Sequence, residues 1–211
     1  MINKVLIKNL IDKYPLLSSC KKDIENTCNL LITLYKNKNK LLICGNGGSS
    51  ADADHMVSEL MKGFIKPRPI NNDIANKIKS ISNNDEALLT TKLENGLPAI
   101  SLSVHSALIS AISNDNGGDF VFAQQVLGYG NTEDVLFCIT TSGNSQNILN
   151  AAITAKAKGL KVIGLTGKTG GKLKQYCDIS ICVPSTDTPD IQELHLPIYH
   201  TICAILEDYF Y

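Results

Sequence analysis

The chain has 211 residues, and its 20 basic side chains balance 20 acidic ones, so its formal charge is zero. This length suits one domain with a sizeable hydrophobic core. A neutral chain has no general electrostatic attraction to nucleic acid or to an anionic membrane, so neither is an expected partner. The longest uncharged run, residues 135–155, contains TTSGNSQN and is too polar to span a bilayer.

The first residues and the cysteines predict a cytoplasmic protein. The opening MINKVLIKNLIDKYP places lysines among apolar positions and offers no small-residue cleavage site, unlike a signal peptide. The seven cysteines include no Cys-x-x-Cys pair, and most lie in apolar runs. Buried thiols in a reducing compartment explain this pattern better than disulfides or a cysteine zinc site.

The predicted elements alternate between helices and strands. Up to about residue 38, apolar residues at helical spacing predict a short helix and a longer one, separated near Pro15. Five apolar runs without alternation follow, as is typical of strands buried on both faces of a parallel sheet. These predicted strands are KLLIC (40–44), LPAISL (97–102), DVLFCIT (134–140), KVIGLT (161–166) and DISICV (178–183). We expect one three-layer α/β/α domain over residues 1–211.

Two further segments complete the predicted architecture. Residues 65–96 are rich in Asn and Lys and predict one or two short surface helices inserted between core elements. Residues 191–211 predict a long terminal helix, which Pro197 either kinks or restarts.

Two loops follow predicted strands, where open α/β sheets bind ligands. In GNGGS (45–49), glycines let backbone N–H groups approach an anion or a sugar, although a tight turn would also need them. In TTSGNS (140–145), hydroxyls gather before a helix, which suits a phosphomonoester; the alternative is that Ser145 only caps the helix. The later GKT (167–169) lacks the glycine that a P-loop needs five residues earlier, where Val162 stands.

Imidazoles and carboxylates recur in two predicted helices. His55 and Glu59 are four residues apart on one face, so they form either a metal or acid–base pair or a surface ion pair. IQELHLPIYH (191–200) holds two of the four histidines. Helical phase places Glu193 within about 20° of His200, and Gln192 about 80° away. Spacing alone therefore nominates Glu193 with His200.

Four stretches together resemble one family: GNGGSSADADHMVSEL (45–60), SNDNG (113–117), ITTSGNS (139–145) and IQELHLPIYH (191–200). They are similar to the sugar isomerase (SIS) fold, and within it to the phosphoheptose isomerases. The resemblance implies a five-stranded parallel sheet flanked by helices, a homotetramer with active sites across subunits, and one zinc ion per subunit. It also implies conversion of D-sedoheptulose 7-phosphate to D-glycero-D-manno-heptose 7-phosphate through an enediol, for nucleotide-heptose and surface-glycan biosynthesis such as that of lipopolysaccharide.

The resemblance also assigns roles to residues. Glu59 matches the catalytic base and His200 the catalytic acid. The zinc ligands that it implies are His55, Glu59, Gln192 and His200, so it selects Gln192 where spacing selects Glu193. The substrate contacts that it implies are Asn46, Gly47, Gly48, Glu59, Asn114, Asp115, Thr140, Thr141, Ser142, Ser145 and Gln192.

The chain departs from the family pattern at the connection between the His/Glu helix and the second strand. The family has a short connector there, and this chain has about thirty residues. That insertion bears on the identity of the sugar more than on the reaction class. Alternatives are an isomerase of another phosphosugar, a phosphosugar-sensing module, and a non-catalytic SIS tetramer that binds a protein such as a replication initiator.

Overall fold

The computed structural model describes residues 2–82 and 86–211. Its described part contains a parallel sheet of five strands in the order β2-β1-β3-β4-β5. The strands are β1 (Leu41–Gly45), β2 (Ala99–Ser101), β3 (Val135–Ile139), β4 (Lys161–Thr166) and β5 (Ile179–Cys182). Each lies within or beside a predicted strand, so the predicted parallel sheet is confirmed.

Helices cover both faces of the sheet, because successive strand residues point to opposite sides. Ile43 and Phe137 belong to one buried cluster, and Leu42 and Leu136 to a second one. The helices are α1 (Lys4–Lys13), α2 (Lys21–Lys36), α3 (Gly48–Met61), α4 (Asn72–Ile81), α5 (Glu86–Lys92), α6 (Ser106–Asp115), α7 (Val121–Tyr129), α8 (Gln146–Ala157) and α9 (Thr188–Phe210). This is the predicted three-layer arrangement. No helix in the described ranges is both long enough and apolar enough to cross a membrane.

The remaining predicted elements are also present. A 3₁₀ segment, Pro15–Cys20, separates the two N-terminal helices. The predicted insertion forms α4 and α5, while its residues 83–85 lie outside the described part of the chain. The terminal helix is continuous through Pro197, so this proline does not restart it.

The strand order creates a crevice where the site is expected. From β1 the chain passes to β2 at one edge of the sheet, and then crosses to β3 on the other side of β1. The direction in which strands are added therefore reverses between β1 and β3. Gly45 and Ile139, the last residues of these strands, are register partners. The loops after β1 and β3 therefore start side by side at the topological switch point, where open α/β sheets bind ligands.

Candidate active site

The loop after β1 is shaped by its glycines. Gly47 has a φ of 55°, a region that favours glycine. A Cβ at Gly48 would lie 2.7 Å from Nε2 of Gln192, so a larger residue there would displace the Gln192 amide. The same residues that the family pattern assigns to sugar binding thus also seat Gln192 beside the loop.

Asn46 joins the two loops. Its side-chain amide exchanges two hydrogen bonds with that of Asn147, each 2.9 Å long. Asn147 belongs to the first turn of α8, directly after the second loop. Sequence reasoning did not select Asn147, since nothing in the local pattern shows that it pairs with a residue about a hundred positions earlier.

The loop after β3 offers hydroxyls and backbone N–H groups. Thr140 is buried, and its Oγ1 accepts a long hydrogen bond of 3.4 Å from the N–H of Gly143. Oγ of Ser142 accepts from the N–H of Asn144 at 3.1 Å. Thr141 and Ser145 are half-buried beside them. The loop thus gathers all four predicted hydroxyls ahead of the N-terminus of α8, which favours an anion.

Ser145 does not cap α8. It occupies the N-cap position, but its side chain makes no capping hydrogen bond. The alternative in which Ser145 serves only as a cap is therefore wrong, and the hydroxyl remains available to a ligand.

The glycine-rich turn at residues 167–171 packs against the loop at residues 140–145. The N–H of Leu173 donates to the carbonyl of Gly143 at 2.9 Å. A Cβ at Gly143 would lie 2.1 Å from the carbonyl oxygen of Gly170. The N–H of Gly167 also donates to the carbonyl of Thr141 at 3.0 Å, so the turn braces the loop.

Three ionisable side chains meet between α3 and α9. Nε2 of His55 lies 3.1 Å from Oε1 of Glu59 and 3.4 Å from Nε2 of His200. The side chain of Glu59 is 13 % exposed and that of His55 is 42 % exposed. The i, i+4 pair predicted on α3 is therefore joined by a histidine of the terminal helix, as the family pattern requires.

A buried tyrosine orients His55. The hydroxyl of Tyr199 donates to Oδ1 of Asp52 at 3.2 Å and lies 3.1 Å from Nδ1 of His55. Because the hydroxyl proton goes to Asp52, the oxygen accepts from Nδ1–H of His55. Nε2 is then the ring nitrogen of His55 that faces Glu59 and His200. Neither Tyr199 nor Asp52 was selected from the sequence.

The environment changes the acidity of these groups. Burial lowers the pKa of His200, the neighbouring His55 lowers it further, and Glu59 opposes both effects. His200 is therefore neutral at pH 7, as a group that both gives and takes a proton should be. Burial also raises the pKa of Asp52, against the hydrogen bond from Tyr199 and the charge of His55.

The donor atoms fit zinc chemically, although their arrangement is incomplete. Two imidazole nitrogens and a carboxylate oxygen are zinc ligands, and tetrahedral ligands of zinc lie about 3.3 Å apart. The two pairs that share His55 have such spacings. Even so, within residues 2–82 and 86–211 no three His, Cys, Asp or Glu side chains already stand close enough together to hold a metal ion. Zinc would therefore require Glu59 and His200 to move closer together around His55.

Gln192 and Glu193 face different parts of the molecule. Gln192 lies against Gly48, about 12 Å along α9 from His200. Glu193 and His200 line one groove of about 470 Å³ between α1 and α9, as their helical phase predicts. Within one chain, Gln192 is therefore placed at the sugar loop, apart from the three clustered side chains.

Asn114 and Asp115 lie at the end of α6, and both are exposed. Nδ2 of Asn114 donates to Oδ1 of Asp115 at 2.8 Å. Asp115 also lines a surface groove with residues of α7 and α8. The contacts described for this predicted pair are with these groups, so a substrate-binding role for them stays a prediction.

Comparison with known proteins places the chain in a family. Residues 94–167 match the family model of the SIS domain. The chain is 42 % identical to a phosphoheptose isomerase of Nitratiruptor sp. over 86 % of this chain and 83 % of that protein. It is 41 % identical to one of Helicobacter pylori strain P12, over 92 % of this chain and 88 % of that protein.

Solved structures agree with these relatives. A phosphoheptose isomerase from Francisella tularensis superimposes with a TM-score of 0.74 at 33 % identity, covering 95 % of this chain and 94 % of that one. The enzyme from Neisseria gonorrhoeae gives a TM-score of 0.70 at 31 % identity, covering 96 % and 92 %. This chain belongs to the phosphoheptose isomerase family of SIS-domain proteins.

Proposed function

We propose that this chain is a ketose–aldose isomerase that converts sedoheptulose 7-phosphate to D-glycero-D-manno-heptose 7-phosphate. The observation that carries the proposal is the convergence of His55, Glu59 and His200 in a member of the phosphoheptose isomerase family. The two loops at the switch point supply the neighbouring surface on which a phosphosugar would bind.

Glu59 is the base. Its carboxylate takes the proton from the carbon beside the ketone, which leaves an enediol, and then returns that proton to the former carbonyl carbon. His200 gives a proton to the carbonyl oxygen and takes one from the neighbouring hydroxyl. Each residue thus gives up as many protons as it takes and ends in its starting state. The carbonyl has moved from the second carbon to the first.

The loop at residues 140–145 binds the phosphate, through Thr140, Thr141, Ser142 and Ser145 and the backbone N–H groups at the start of α8. Binding energy there is remote from the reacting carbons, so it orients the open-chain sugar. Asn46, Gly47 and Gly48 contact the sugar, with Gln192 beside them, and Asn114 and Asp115 complete the proposed contacts.

The proposed cofactor is zinc, one ion per subunit, for which His55, Glu59 and His200 would be the ligands once drawn together. When bound, zinc polarises the carbonyl and stabilises negative charge on the sugar oxygens. Gln192 is the fourth ligand in the family pattern, but its position beside Gly48 supports a role in sugar binding within one chain. Tyr199 keeps His55 in the tautomer that a ligand needs.

We further propose a homotetramer in the cytoplasm that serves nucleotide-heptose and surface-glycan biosynthesis. Two observations support this context. All seven cysteines are unpaired, which suits a reducing compartment. The groove between α1 and α9 brings His200 to the surface beside apolar side chains, where a second subunit would close the site.

The decisive experiment is turnover of sedoheptulose 7-phosphate by the purified chain, first stripped of metal and then supplied with zinc. Zinc-dependent formation of the aldoheptose phosphate is expected. Zinc binding without turnover would point to another phosphosugar, and the insertion would be the first feature to examine as the cause of the changed substrate. Neither zinc binding nor turnover of any phosphosugar would revive the non-catalytic, protein-binding alternative.

A further inference from the structure

Two charged side chains are buried outside the proposed chemistry. Nε of Arg68 donates to Oε1 of Glu207 at 2.8 Å, and the two side chains are 0 % and 1 % exposed. Removing both charges from water is costly, and such a pair persists only when further hydrogen bonds satisfy it. Its remaining partners therefore indicate what the pair holds in place.

Glu207 binds the chain that leaves α3. Its carboxylate accepts from the N–H groups of Phe64, Ile65 and Lys66 at 2.8, 2.8 and 3.0 Å. Burial raises the pKa of this carboxyl, but the backbone donors and Arg68 outweigh that effect and lower it. The carboxylate is therefore charged, and it fixes three consecutive residues of the loop.

Arg68 binds the end of the helix that carries the proposed base. Its two terminal nitrogens donate to the carbonyls of Leu60 and Glu59 at 2.7 and 2.9 Å. The last four carbonyls of a helix have no partner within it, so the guanidinium caps α3. One of the capped carbonyls belongs to Glu59 itself.

The loop held by Glu207 also contacts the proposed acid. The ring of Phe64 packs against that of His200, with 5.3 Å between centroids. Because Glu207 binds the N–H of Phe64, the same ion pair holds in place the aromatic ring that packs against His200.

We propose that Arg68 and Glu207 are positioning residues for the acid–base pair, with Arg68 fixing Glu59 through its main chain and Glu207 fixing His200 through Phe64. Neither residue touches the substrate. The inference rests on the proposed function, since it concerns the same acid and base.

A second carboxylate in the fold provides a matched control. Asp134 accepts from the backbone and side-chain nitrogens of Lys40 at 3.0 and 2.6 Å, and from the N–H of Asn131 at 2.8 Å. Like Glu207, it is buried and joins a cation to backbone donors. It lies at the amino ends of β1 and β3, the opposite edge of the sheet from the site.

The experiment compares Glu207→Gln with Asp134→Asn in the full chain, using zinc alone and sedoheptulose 7-phosphate as probes. Zinc affinity is measured by chelator competition, and kcat and KM are measured separately. For Glu207→Gln we expect kcat to fall about tenfold with KM nearly unchanged, and zinc affinity to fall about 10- to 100-fold, as for other losses of ligand support. Asp134→Asn should lower the Tm but leave kcat and zinc affinity within about twofold.

Equal losses of kcat in the two variants, or an unchanged kcat in folded Glu207→Gln, would overturn the inference. If Glu207→Gln does not fold, Phe64→Leu is the variant to measure. It keeps the ion pair but removes the aromatic ring beside His200, so kcat should fall about threefold. An unchanged kcat in Phe64→Leu would contradict the inference. Arg68→Lys keeps the charge without the planar fork, so full activity there would reduce the role of Arg68 to charge balance.

The zinc measurement separates this inference from the proposed function. A wild type that binds zinc but does not isomerise the sugar refutes the function, while the contrast in zinc affinity still decides the role of the ion pair. A wild type that does neither overturns both.

Discussion

Two pairs of helices in this chain both carry apolar residues at helical spacing, but their surroundings differ. In the pair α3 and α9, ten residues of α9 are buried, including the polar Tyr199, His195 and Glu207. In the pair α4 and α5, which forms the insertion, no residue of α4 is buried, and Ile81 and Leu88 are 82 % and 63 % exposed. An apolar stripe at helical spacing therefore predicts a helix, but not whether that helix packs.

The two pairs also differ in how polar groups hold them. Between α3 and α9, Tyr199 reaches His55 and Asp52. The insertion is tied at its ends, where Pro69 bridges Glu94 and the N–H of Asn95 donates to the carbonyl of Arg68. The groups proposed for the chemistry lie in the first pair, where burial and hydrogen bonds keep a side chain in one geometry.

The largest expected effect comes from Glu59→Gln in the first pair. Without its base, the enzyme should lose at least about a thousandfold in kcat. The fold should remain, because the contact to Arg68 uses the backbone carbonyl of residue 59. Turnover and the thermal unfolding curve test this together, with Glu193→Gln as the control on the neighbouring groove. Substantial activity in Glu59→Gln, or an equal loss in Glu193→Gln, would contradict the assignment of the base.

A smaller effect is expected from Tyr199→Phe. This change removes one hydroxyl that orients His55 and satisfies Asp52. Both kcat and zinc affinity should fall about tenfold or more, the usual result of losing a partner of a histidine with the metal-binding role proposed for His55. Zinc competition and steady-state kinetics check the prediction. Unchanged zinc affinity would show that His55 keeps its orientation without the tyrosine.

Helix α9 of the first pair also contains a histidine that makes the stability of the fold depend on pH. His195 is fully buried, and no hydrogen bond of normal geometry reaches either ring nitrogen from the described residues. Burial lowers its pKa from 6.5 to about 4, while a looser contact with the Thr166 backbone opposes this shift. The unfolded chain therefore binds a proton that the folded chain rejects, so stability is full above pH 6.5 and falls as the pH drops towards 4.

This linkage should cost about 2 kcal/mol of unfolding free energy between pH 7.5 and pH 5. Urea titrations at the two pH values, at one protein concentration, measure the loss. His195→Leu should remove this part of the pH dependence, whereas His105→Gln, at an exposed histidine, should keep it. The same pH dependence in His195→Leu as in the wild type would show that another group is responsible.

Much of the fold, but less of the site, could be predicted from the sequence. Apolar runs locate strands because burial on both faces of a sheet requires them, and glycine and hydroxyl clusters mark the loops at strand ends. The roles of Asn147 and Tyr199 could not be predicted because their partners are remote in sequence. The same holds for the ion pair of Arg68, whose partner Glu207 is 139 positions away. Helical phase correctly placed Glu193 with His200, but it could not show that Gln192 packs against Gly48 on another helix.

The smallest effect is expected from removing the insertion. Because Pro69 and Glu94 form an antiparallel bridge, residues 70–93 can be replaced by a two-residue Asn-Gly turn. Few apolar groups are lost from the core, since α4 buries none of its residues. We expect the Tm to change by no more than about 4 °C and kcat/KM by no more than about threefold.

The counterpart of the excision keeps α4 and α5 but removes the contact that ties the end of the insertion to the rest of the fold. Glu94 accepts from the N–H groups of Gly63 and Arg68, so its carboxylate joins the end of the insertion to the loop below α3. Glu94→Ala in the full-length chain should therefore lower the Tm more than the excision does, because it loosens the loop that Arg68 and Glu207 hold. Loss of turnover on excision would instead show that α4 and α5 cover the sugar, and loss of the proposed tetramer would show that they join subunits. In either case the exposed apolar face of the insertion would have a partner, and the contrast between the two helix pairs would apply only to the isolated chain.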